Sequence, residues 1–254
     1  MKKTKANKGD PCPVTIDVPT RDGEAGSVFL TPAGRGPWPG VVTLTDVWGI
    51  RPDARAMAAR VAAAGYAVLM PNIFYRTHKV PLDPKLTGGE RNMAVAGPLL
   101  ASMDADKMTR DGVSYVDYLL GREDVQKPKV AVVGYCFSGA MAVRTAAAAP
   151  DKVAAAASFH GGRLVTDSKD SPHTLIPKIK AELYFGHATQ DQSMTAQQIE
   201  QLDAGLKGWG GKYQSEIYEG ARHGWAVPGG EVYNPAQSER HFEMLFDLLK
   251  RTLK

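Results

Sequence analysis

The chain has 254 residues, of which 43% are hydrophobic and 23% charged, values typical of a globular protein with one large core. The formal net charge of +4 comes mostly from the first ten residues, where four lysines accompany the single acidic residue Asp10. The remainder is almost neutral and has no basic stripe with interleaved aromatic residues, which argues against nucleic-acid binding. These features predict a flexible basic tail over residues 1–10 and a single domain over 11–254.

The ends and the cysteines of the chain bear on its cellular setting. No uncharged apolar stretch approaches about 18 residues, and the basic start runs into Gly9-Asp10-Pro11 instead of an apolar segment. We therefore expect neither a membrane span nor a secretory leader. The two cysteines, Cys12 and Cys136, are too few for a disulfide framework, which favours a reduced, cytoplasmic environment. A monomer or weak homodimer is expected.

Short apolar runs alternate along the chain with longer segments of helical spacing. Strands are predicted at 39–45, 66–70, 129–133, 153–159, 181–185 and 213–218. Helices are predicted at 52–64, at 106–120, at 139–149, from a capping box of Thr195 and Gln198 toward Leu206, and from Asn234-Pro235 onward. Recurrent glycine and proline predict a long loop over 74–98. Strands that alternate with helices indicate an α/β fold in which helices cover both faces of a mostly parallel sheet.

The segment Gly134-Tyr135-Cys136-Phe137-Ser138 lies between a predicted strand and a predicted helix. A nucleophile on such a turn, with small residues two positions away on either side, is typical of a nucleophile elbow. The start of the following helix directs N–H groups and the positive end of its dipole toward the sulfur, which favours a thiolate. The alternative is a buried structural cysteine, since free cysteine is among the most buried residue types.

Two later strands are each followed by a residue that could complete a catalytic triad. Asp191 follows the strand at 181–185, and His223 follows the strand at 213–218. The order nucleophile, acid, histidine is that of hydrolases with a nucleophile elbow, and the ends of parallel strands meet at one edge of a sheet. We therefore predict Cys136, Asp191 and His223 as the catalytic residues, although a single Asp or His in a loop is more commonly structural.

The other histidines carry weaker signals. His160 ends a strand near the same edge and could line the pocket, but a structural role is favoured. His187 is a weak rival for the catalytic base. No spacing resembles H-E-x-x-H or paired C-x-x-C, so we predict neither a metal site nor a cofactor.

With these three residues in this order, the sequence resembles the dienelactone hydrolase family of α/β-hydrolases. The most specific feature is GYC at the elbow, supported by DVWG at 46–49, GY at 65–66, LDP at 82–84 and ARHGW at 221–225. The resemblance implies an α/β-hydrolase fold and hydrolysis of a small ester or lactone through a thioester acyl-enzyme. It also implies an oxyanion hole formed by the N–H groups of Val47 and Phe137. Asp46 takes the place of the auxiliary acid, where the family usually has glutamate.

Substrate recognition departs from the family pattern. Family members that act on dienelactone hold its carboxylate with arginines, one of them four residues after the catalytic histidine, and this chain has Val227 there. Arg91 and Arg76 are candidates for the second arginine. Trp48 and Trp225 suggest an aromatic-walled pocket for a less charged ester, or they pack beneath the loops.

Two other functions are compatible with the same residues. A thioesterase or acyltransferase on this fold would transfer the acyl group from Cys136 to a different acceptor. A non-hydrolytic protein of this fold would use an accessible thiol to sense oxidants or to bind a ligand covalently. A small-molecule ester or lactone remains the expected partner, with no nucleic acid and no membrane.

Overall fold

The structure is a computed structural model that describes residues 12–79 and 93–254. The strands in these ranges are β1 Cys12–Thr20, β2 Gly23–Thr31, β3 Gly40–Leu44, β4 Ala67–Pro71, β5 Val130–Tyr135, β6 Val153–Phe159, β7 Glu182–Gln190 and β8 Tyr213–Arg222. The helices are α1 Pro52–Ala63, α2 Met93–Ala101, α3 Ala105–Gly121, α4 Ser138–Ala148, α5 Ala196–Trp209 and α6 Pro235–Leu253, with a short 3-10 helix at Pro172–Lys178.

The strands form one sheet in the order β1-β2-β4-β3-β5-β6-β7-β8. β1 pairs with β2, and β2 with β4, in antiparallel fashion, whereas the six strands from β4 to β8 run parallel. The predicted mostly parallel sheet is therefore confirmed. Among the helices of the described ranges, none combines the length and apolar character needed to cross a bilayer.

Apolar side chains cover both faces of the sheet, which explains why its central strands read as continuous apolar runs. Successive residues of a strand point to opposite faces, so Val42 and Val132 join one core while Val41 and Val133 join the other. The first core also contains residues of α2, α3, α4 and α5, and the second contains residues of α1 and α6. Helices thus cover both faces, as the alternating pattern predicts.

Individual helix ends follow local sequence signals. The capping box predicted for α5 is present, since the Thr195 hydroxyl accepts from the Gln198 N–H and the Gln198 side chain accepts from the Thr195 N–H. This reciprocal arrangement satisfies two N–H groups that the helix itself leaves unpaired. The helix ends at Gly210, which adopts the left-handed conformation that glycine tolerates best.

Two elements differ from the predictions. The hairpin of β1 and β2 was not predicted; its strands pair across a turn that ends at Gly23, and Val14, Ile16 and Val18 alternate along β1. Residues 93–98 form part of α2, so the loop predicted over 74–98 is wrong in that segment, and Pro98 lies inside the helix. The predicted tail over 1–10 lies outside the described residues, and the single domain over 11–254 remains a prediction.

The parallel strands bring the predicted catalytic segments to one edge of the sheet. β3, β5, β6, β7 and β8 run in the same direction, so the loops after their carboxyl ends are neighbours. Ligands of open α/β sheets bind at this edge. It is therefore the place where the side chains predicted to do chemistry can meet.

Candidate active site

Cys136 occupies a sharp turn between β5 and α4. Its φ is 59°, a left-handed conformation that a residue with a side chain adopts only where its surroundings enforce it. The Cys136 N–H donates to the Phe159 carbonyl oxygen at 3.2 Å and to His160 Nδ1 at 3.0 Å. Its carbonyl oxygen accepts from the N–H groups of Gly139 at 3.0 Å and Gly162 at 3.3 Å. These four hydrogen bonds hold the turn in its strained conformation.

The turn requires small residues around the cysteine. A Cβ added at Gly134 would lie 2.2 Å from the backbone oxygen of Ser138, and one added at Gly139 would lie 2.2 Å from Ser158 Oγ. The Ser138 hydroxyl is itself buried and donates to the Leu44 carbonyl oxygen at 3.1 Å. Strand, turn and helix are therefore packed too closely for a larger residue at these positions.

We expect Gly134→Ala to destabilise the fold by about 1–3 kcal/mol, because the new methyl group meets helix backbone that cannot yield. Gly205→Ala is the matched control, since a Cβ there meets no heavy atom within 4 Å and the residue lies in α5. The control should be more stable than wild type by about 0.5–1 kcal/mol. Chemical denaturation measures both values, and equal midpoints for Gly134→Ala and wild type would show that the elbow is not tightly packed.

In the structure, hydrogen bonds link the three predicted catalytic side chains in the order Cys136, His223, Asp191. His223 Nε2 lies 3.1 Å from Cys136 Sγ, and His223 Nδ1 lies 2.6 Å from Asp191 Oδ2. Asp191 is almost completely buried, whereas His223 retains a partly exposed ring and Cys136 is half-buried. The sulfur is therefore accessible while the carboxylate behind the imidazole is shielded from water.

Ser193 supports the carboxylate. Its N–H donates to Asp191 Oδ1 at 2.8 Å and its hydroxyl donates to the same oxygen at 2.6 Å. Ser193 Oγ also lies 3.1 Å from His223 Nδ1. These contacts leave Oδ2 of Asp191 for the histidine and fix the direction from which the carboxylate approaches it.

The electrostatic environment favours a protonated His223. Burial lowers the pKa of His223, but the hydrogen bonds and negative charges of Asp191 and Cys136 outweigh burial and raise this pKa to about 10. Burial likewise raises the pKa of Asp191, but His223 and the two Ser193 donors prevail and lower it. An anionic carboxylate beside a cationic imidazole is the charge distribution of a hydrolytic triad at work.

Val47 and Phe137, the predicted oxyanion donors, both line the cavity that opens above Cys136. Neither of their N–H groups donates to another acceptor in the described part of the chain. Free N–H groups beside a nucleophile are what an oxyanion hole requires.

His160 was considered a structural histidine, and the structure places it directly behind Cys136. It is 1% exposed, and burial, followed by the charges of His223 and His241, holds its pKa well below the usual value. Because Nδ1 accepts from the Cys136 N–H, the neutral ring carries its proton on Nε2. This residue contributes to the elbow by fixing its backbone.

Trp225 does not line the cavity, so its predicted contact with substrate is corrected. The side chain is completely buried in the second core, with its ring 5.0 Å from His160 and 4.7 Å from Tyr218. It packs beneath the histidine that supports the elbow. Trp48, in contrast, does line the cavity.

Asp46 is buried in an ion pair. Arg51 Nη1 and Nη2 lie 2.6 Å and 2.8 Å from its two oxygens, and the Trp48 N–H donates to Oδ1 at 3.0 Å. Both partners are nearly inaccessible to solvent. The carboxylate therefore shapes the loop that carries Val47, and the auxiliary-acid role stays a prediction.

Of the two arginines predicted to bind substrate, Arg76 does not line the cavity and Arg91 lies outside the described residues. Arg76 pairs with Asp111 at 2.7 Å and with Asp22 at 2.7 Å, and it does not line the cavity. Its predicted contact with substrate is therefore corrected. Arg91 lies outside the described residues, and Val227 is buried in the second core.

The cavity above the sulfur has a volume of about 600 Å³. Cys136, His223 and Ser193 form its floor together with Val47 and Phe137. Its walls are Trp48, Leu100, Met103, Asp104, Ala105, Met108, Ala140, Arg144, Gly162, Arg163, Thr166, Ser168, Asp170 and Pro172. A cavity of this size, mostly apolar with a few polar groups, is typical of small-molecule sites.

Sequence reasoning missed Ser193, Arg144 and Arg163 in this site. A serine two residues after an aspartate is the signal of an Asx turn, so Ser193 was recognisable beside Asp191. Arg144 shares a helix face with Phe137 and was recognisable only by that spacing, whereas no comparable signal marks Arg163. Within residues 12–79 and 93–254, no group of three or more His, Cys, Asp or Glu side chains could hold a metal ion.

Comparison with known proteins gives a consistent result. A family model described as "Dienelactone hydrolase family" matches residues 26–253. The "Carboxymethylenebutenolidase homolog" of Mus musculus is 27% identical over 241 residues, which cover 91% of each chain. The "Carboxymethylenebutenolidase" of Rhodococcus opacus is 25% identical over 210 residues, which cover 79% of this chain and 75% of that protein.

Solved structures match over nearly the whole chain. The crystal structure of a dienelactone hydrolase-like promiscuous phosphotriesterase from metagenomic libraries has a TM-score of 0.80 at 20% identity, covering 97% of this chain and 100% of that one. The dienelactone hydrolase of Anabaena variabilis has a TM-score of 0.63 at 16% identity, covering 96% and 100%. These matches confirm the predicted α/β-hydrolase fold.

Proposed function

Because this chain belongs to the dienelactone hydrolase family and is a carboxylic ester hydrolase, we propose that it cleaves small esters or lactones with Cys136 as the nucleophile. The observation that carries the proposal is the series from Cys136 Sγ through His223 to Asp191, with distances of 3.1 Å and 2.6 Å. Cys136 lies on a strained turn and lines an accessible cavity.

The first half of the proposed reaction forms a thioester. His223 is the cation that accompanies the Cys136 thiolate, and the sulfur attacks the carbonyl carbon of the substrate. As the C–S bond forms, the carbonyl oxygen becomes an oxyanion, which the N–H groups of Val47 and Phe137 stabilise. The C–O bond of the ester then breaks, and His223 Nε2 gives its proton to the departing alkoxide. In a lactone, that alcohol stays attached to the acyl group.

The second half releases the acid. The neutral His223 now takes a proton from water, and the hydroxide attacks the thioester carbonyl. The C–S bond breaks, the thiolate is restored beside the imidazolium, and the carboxylic acid leaves. Throughout, Asp191 holds the histidine with its proton on Nδ1 and stabilises the charged ring. Ser193 keeps the carboxylate in place by two hydrogen bonds.

The loop after β3 has a supporting role in this proposal. The ion pair between Asp46 and Arg51 and the hydrogen bond from the Trp48 N–H fix the backbone on both sides of Val47. A donor that is already in position costs no reorganisation when the oxyanion forms. For Asp46 to act directly as an auxiliary acid, its carboxylate would have to leave Arg51, which the present geometry does not favour.

Trapping of the acyl-enzyme tests the proposal directly. We expect a chromogenic short-chain aryl ester, quenched in acid within the first turnover, to add one acyl group to the peptide that contains Cys136. Hydroxylamine should remove the group, because thioesters react readily with this nucleophile. The peptide that contains Cys12 is the internal control and should stay unmodified. Measurement is by mass spectrometry of the digested protein.

The same assay, repeated with an added alcohol and with peroxide, separates the proposed hydrolase from the two alternative functions. Turnover of the ester without acylation of the Cys136 peptide would contradict the proposed nucleophile. Acylation without release into water, followed by transfer to an added alcohol, would identify an acyltransferase. Oxidation of the thiol by peroxide with no ester turnover would identify a thiol sensor.

A further inference from the structure

Arg144 is a buried guanidinium on the wall of the cavity. The residue is 8% exposed, and its Nη2 donates to the backbone oxygen of Asp170. Within the described part of the chain, no carboxylate lies within ion-pair distance of it. The other buried arginine of the described chain, Arg51, is 3% exposed and binds both oxygens of Asp46 through Nη1 and Nη2.

An unpaired buried charge is costly, so buried cations usually have an anionic partner. Burial lowers the pKa of Arg144, and the more distant Asp170 carboxylate offsets this only in part. A single carbonyl oxygen satisfies one of the five N–H donors of a guanidinium. The side chain therefore retains both charge and donors for a group that enters the cavity.

The position of Arg144 relative to the nucleophile is set by α4. Phe137, Ala140 and Arg144 are spaced by three and four residues, which places them on one face of the helix, and all three line the cavity. At 1.5 Å per residue, the seven residues from Phe137 to Arg144 span about 10 Å along the axis. Because a long helical side chain leans toward the start of its helix, this value is an upper limit on the axial separation between the Arg144 guanidinium and the nucleophile.

The rest of the cavity has matching features. The cavity is also lined by the apolar side chains of Leu100, Met103 and Met108. Arg163 adds a second positive charge to the lining of the cavity, and this residue is exposed. Its backbone N–H donates to the Ser193 carbonyl oxygen at 2.9 Å. A largely apolar cavity that holds both a nucleophile and cationic groups fits a ligand with an acyl chain and an anionic end.

Two aspartates also face the cavity and must be taken into account. Asp104 caps α3, where it accepts from the Lys107 N–H at 2.8 Å, and its charge is offset by Lys107 Nζ at 3.1 Å. Asp170 lines the wall without an ion-pair partner in the described residues. It is therefore the group that would compete with an anionic ligand for Arg144.

We propose that the preferred substrates are esters whose acyl chain ends in a carboxylate, and that Arg144 binds this carboxylate within about two helical turns of the scissile carbonyl. This inference rests on the proposed ester hydrolysis at Cys136. The site is on α4, not on the loop after His223, where the family resemblance implies an arginine and this chain has Val227.

A pair of aryl esters that differ only in the terminal group tests the inference. The probes are 4-nitrophenyl octanoate and the mono-4-nitrophenyl ester of octanedioic acid, and the readout is the ratio of their kcat/KM values within each variant. We expect Arg144→Met to lower the preference for the charged ester by about 10- to 100-fold, the range for a hydrogen-bonded charged group. Arg144→Lys should lose part of the preference, because it keeps the charge but not the two-pronged geometry.

Two further variants sharpen the test. Arg35→Met is the matched control, since Arg35 is exposed in the loop after β2, and it should leave the ratio as in wild type. Asp170→Asn should raise the preference for the charged ester by removing the competing carboxylate. A ratio that is the same in wild type and Arg144→Met would overturn the proposal.

Binding provides a readout independent of turnover. Octanedioate should raise the thermal unfolding midpoint of wild type, and it should raise that of Arg144→Lys less, because a ligand that binds only the folded state stabilises it. If Arg144→Met does not fold, the Arg144→Lys ratio and this shift decide the question, and no change in either overturns the inference. Failure to hydrolyse even the neutral octanoate would instead contradict the proposed function.

Discussion

Cys136→Ala is expected to lower kcat/KM for ester hydrolysis by about 10⁴-fold or more. The sulfur is the only candidate nucleophile 3.1 Å from His223 Nε2 in the described chain, and loss of a nucleophile leaves only the catalysis due to binding and the oxyanion donors. Steady-state kinetics with a chromogenic ester measures the effect. The unfolding midpoint is measured alongside to show that the variant is folded.

The second cysteine of the chain offers a matched control. Cys12→Ala makes the same chemical change far from the site in sequence and should retain wild-type kcat/KM. If Cys136→Ala were to keep more than a tenth of the activity, another residue would have to supply the nucleophile, and the assignment of the elbow as the reactive turn would fail.

Asp191→Asn is expected to lower kcat by about 10⁴-fold, the effect of the same change in serine proteases. The carboxylate accepts from His223 Nδ1 at 2.6 Å, whereas an asparagine can present an N–H₂ group there and reverse the tautomer. Nε2 would then point its N–H at the sulfur and could not act as a base in deacylation. Asp151→Asn is the control, since Asp151 is exposed and pairs with Lys180.

The pH profile gives this prediction a second readout. In wild type, His223 is protonated up to its pKa of about 10, so the step that requires the imidazolium should persist at neutral pH and fall as the pH rises through that value. Asp191 is one of the groups that raise this pKa, so the residual activity of Asp191→Asn should fall at a lower pH. An alkaline limb at the same pH in both proteins would show that Asp191 does not act on the histidine.

The same shift has a consequence for stability. A histidine whose pKa is higher in the folded state than its ordinary value of 6.5 stabilises the fold as long as its folded-state ring is protonated. That contribution is fully present below pH 6.5 and is lost as the pH rises to about 10.

Much of the fold could be predicted from the sequence. The parallel strands are buried on both faces, so each reads as an apolar run, and the helices begin at recognisable signals such as Thr195 with Gln198. β1 was missed because it is the edge strand, where exposed positions give a weaker apolar signal, whereas β2 was missed although its residues 27–30 are buried. Segment 93–98 was missed because glycine and proline occur within α2.

Part of the candidate site could also be predicted from the sequence. The order of Cys136, Asp191 and His223 was readable because each follows a parallel strand, and parallel strands end at one edge of the sheet. Local sequence therefore determined which residues could meet.

Only the tertiary structure decided what surrounds them. Trp225 lies under the site and Arg76 is engaged by Asp111, while Arg144 faces the cavity without a carboxylate partner in the described chain. The direction and the partner of a side chain depend on segments that are distant in sequence, and no local pattern encodes them. The sequence by itself determined the fold class, the turn that carries Cys136 and the order of the predicted catalytic residues. Packing decided which charged side chains are already paired and which remain without a partner in the described chain.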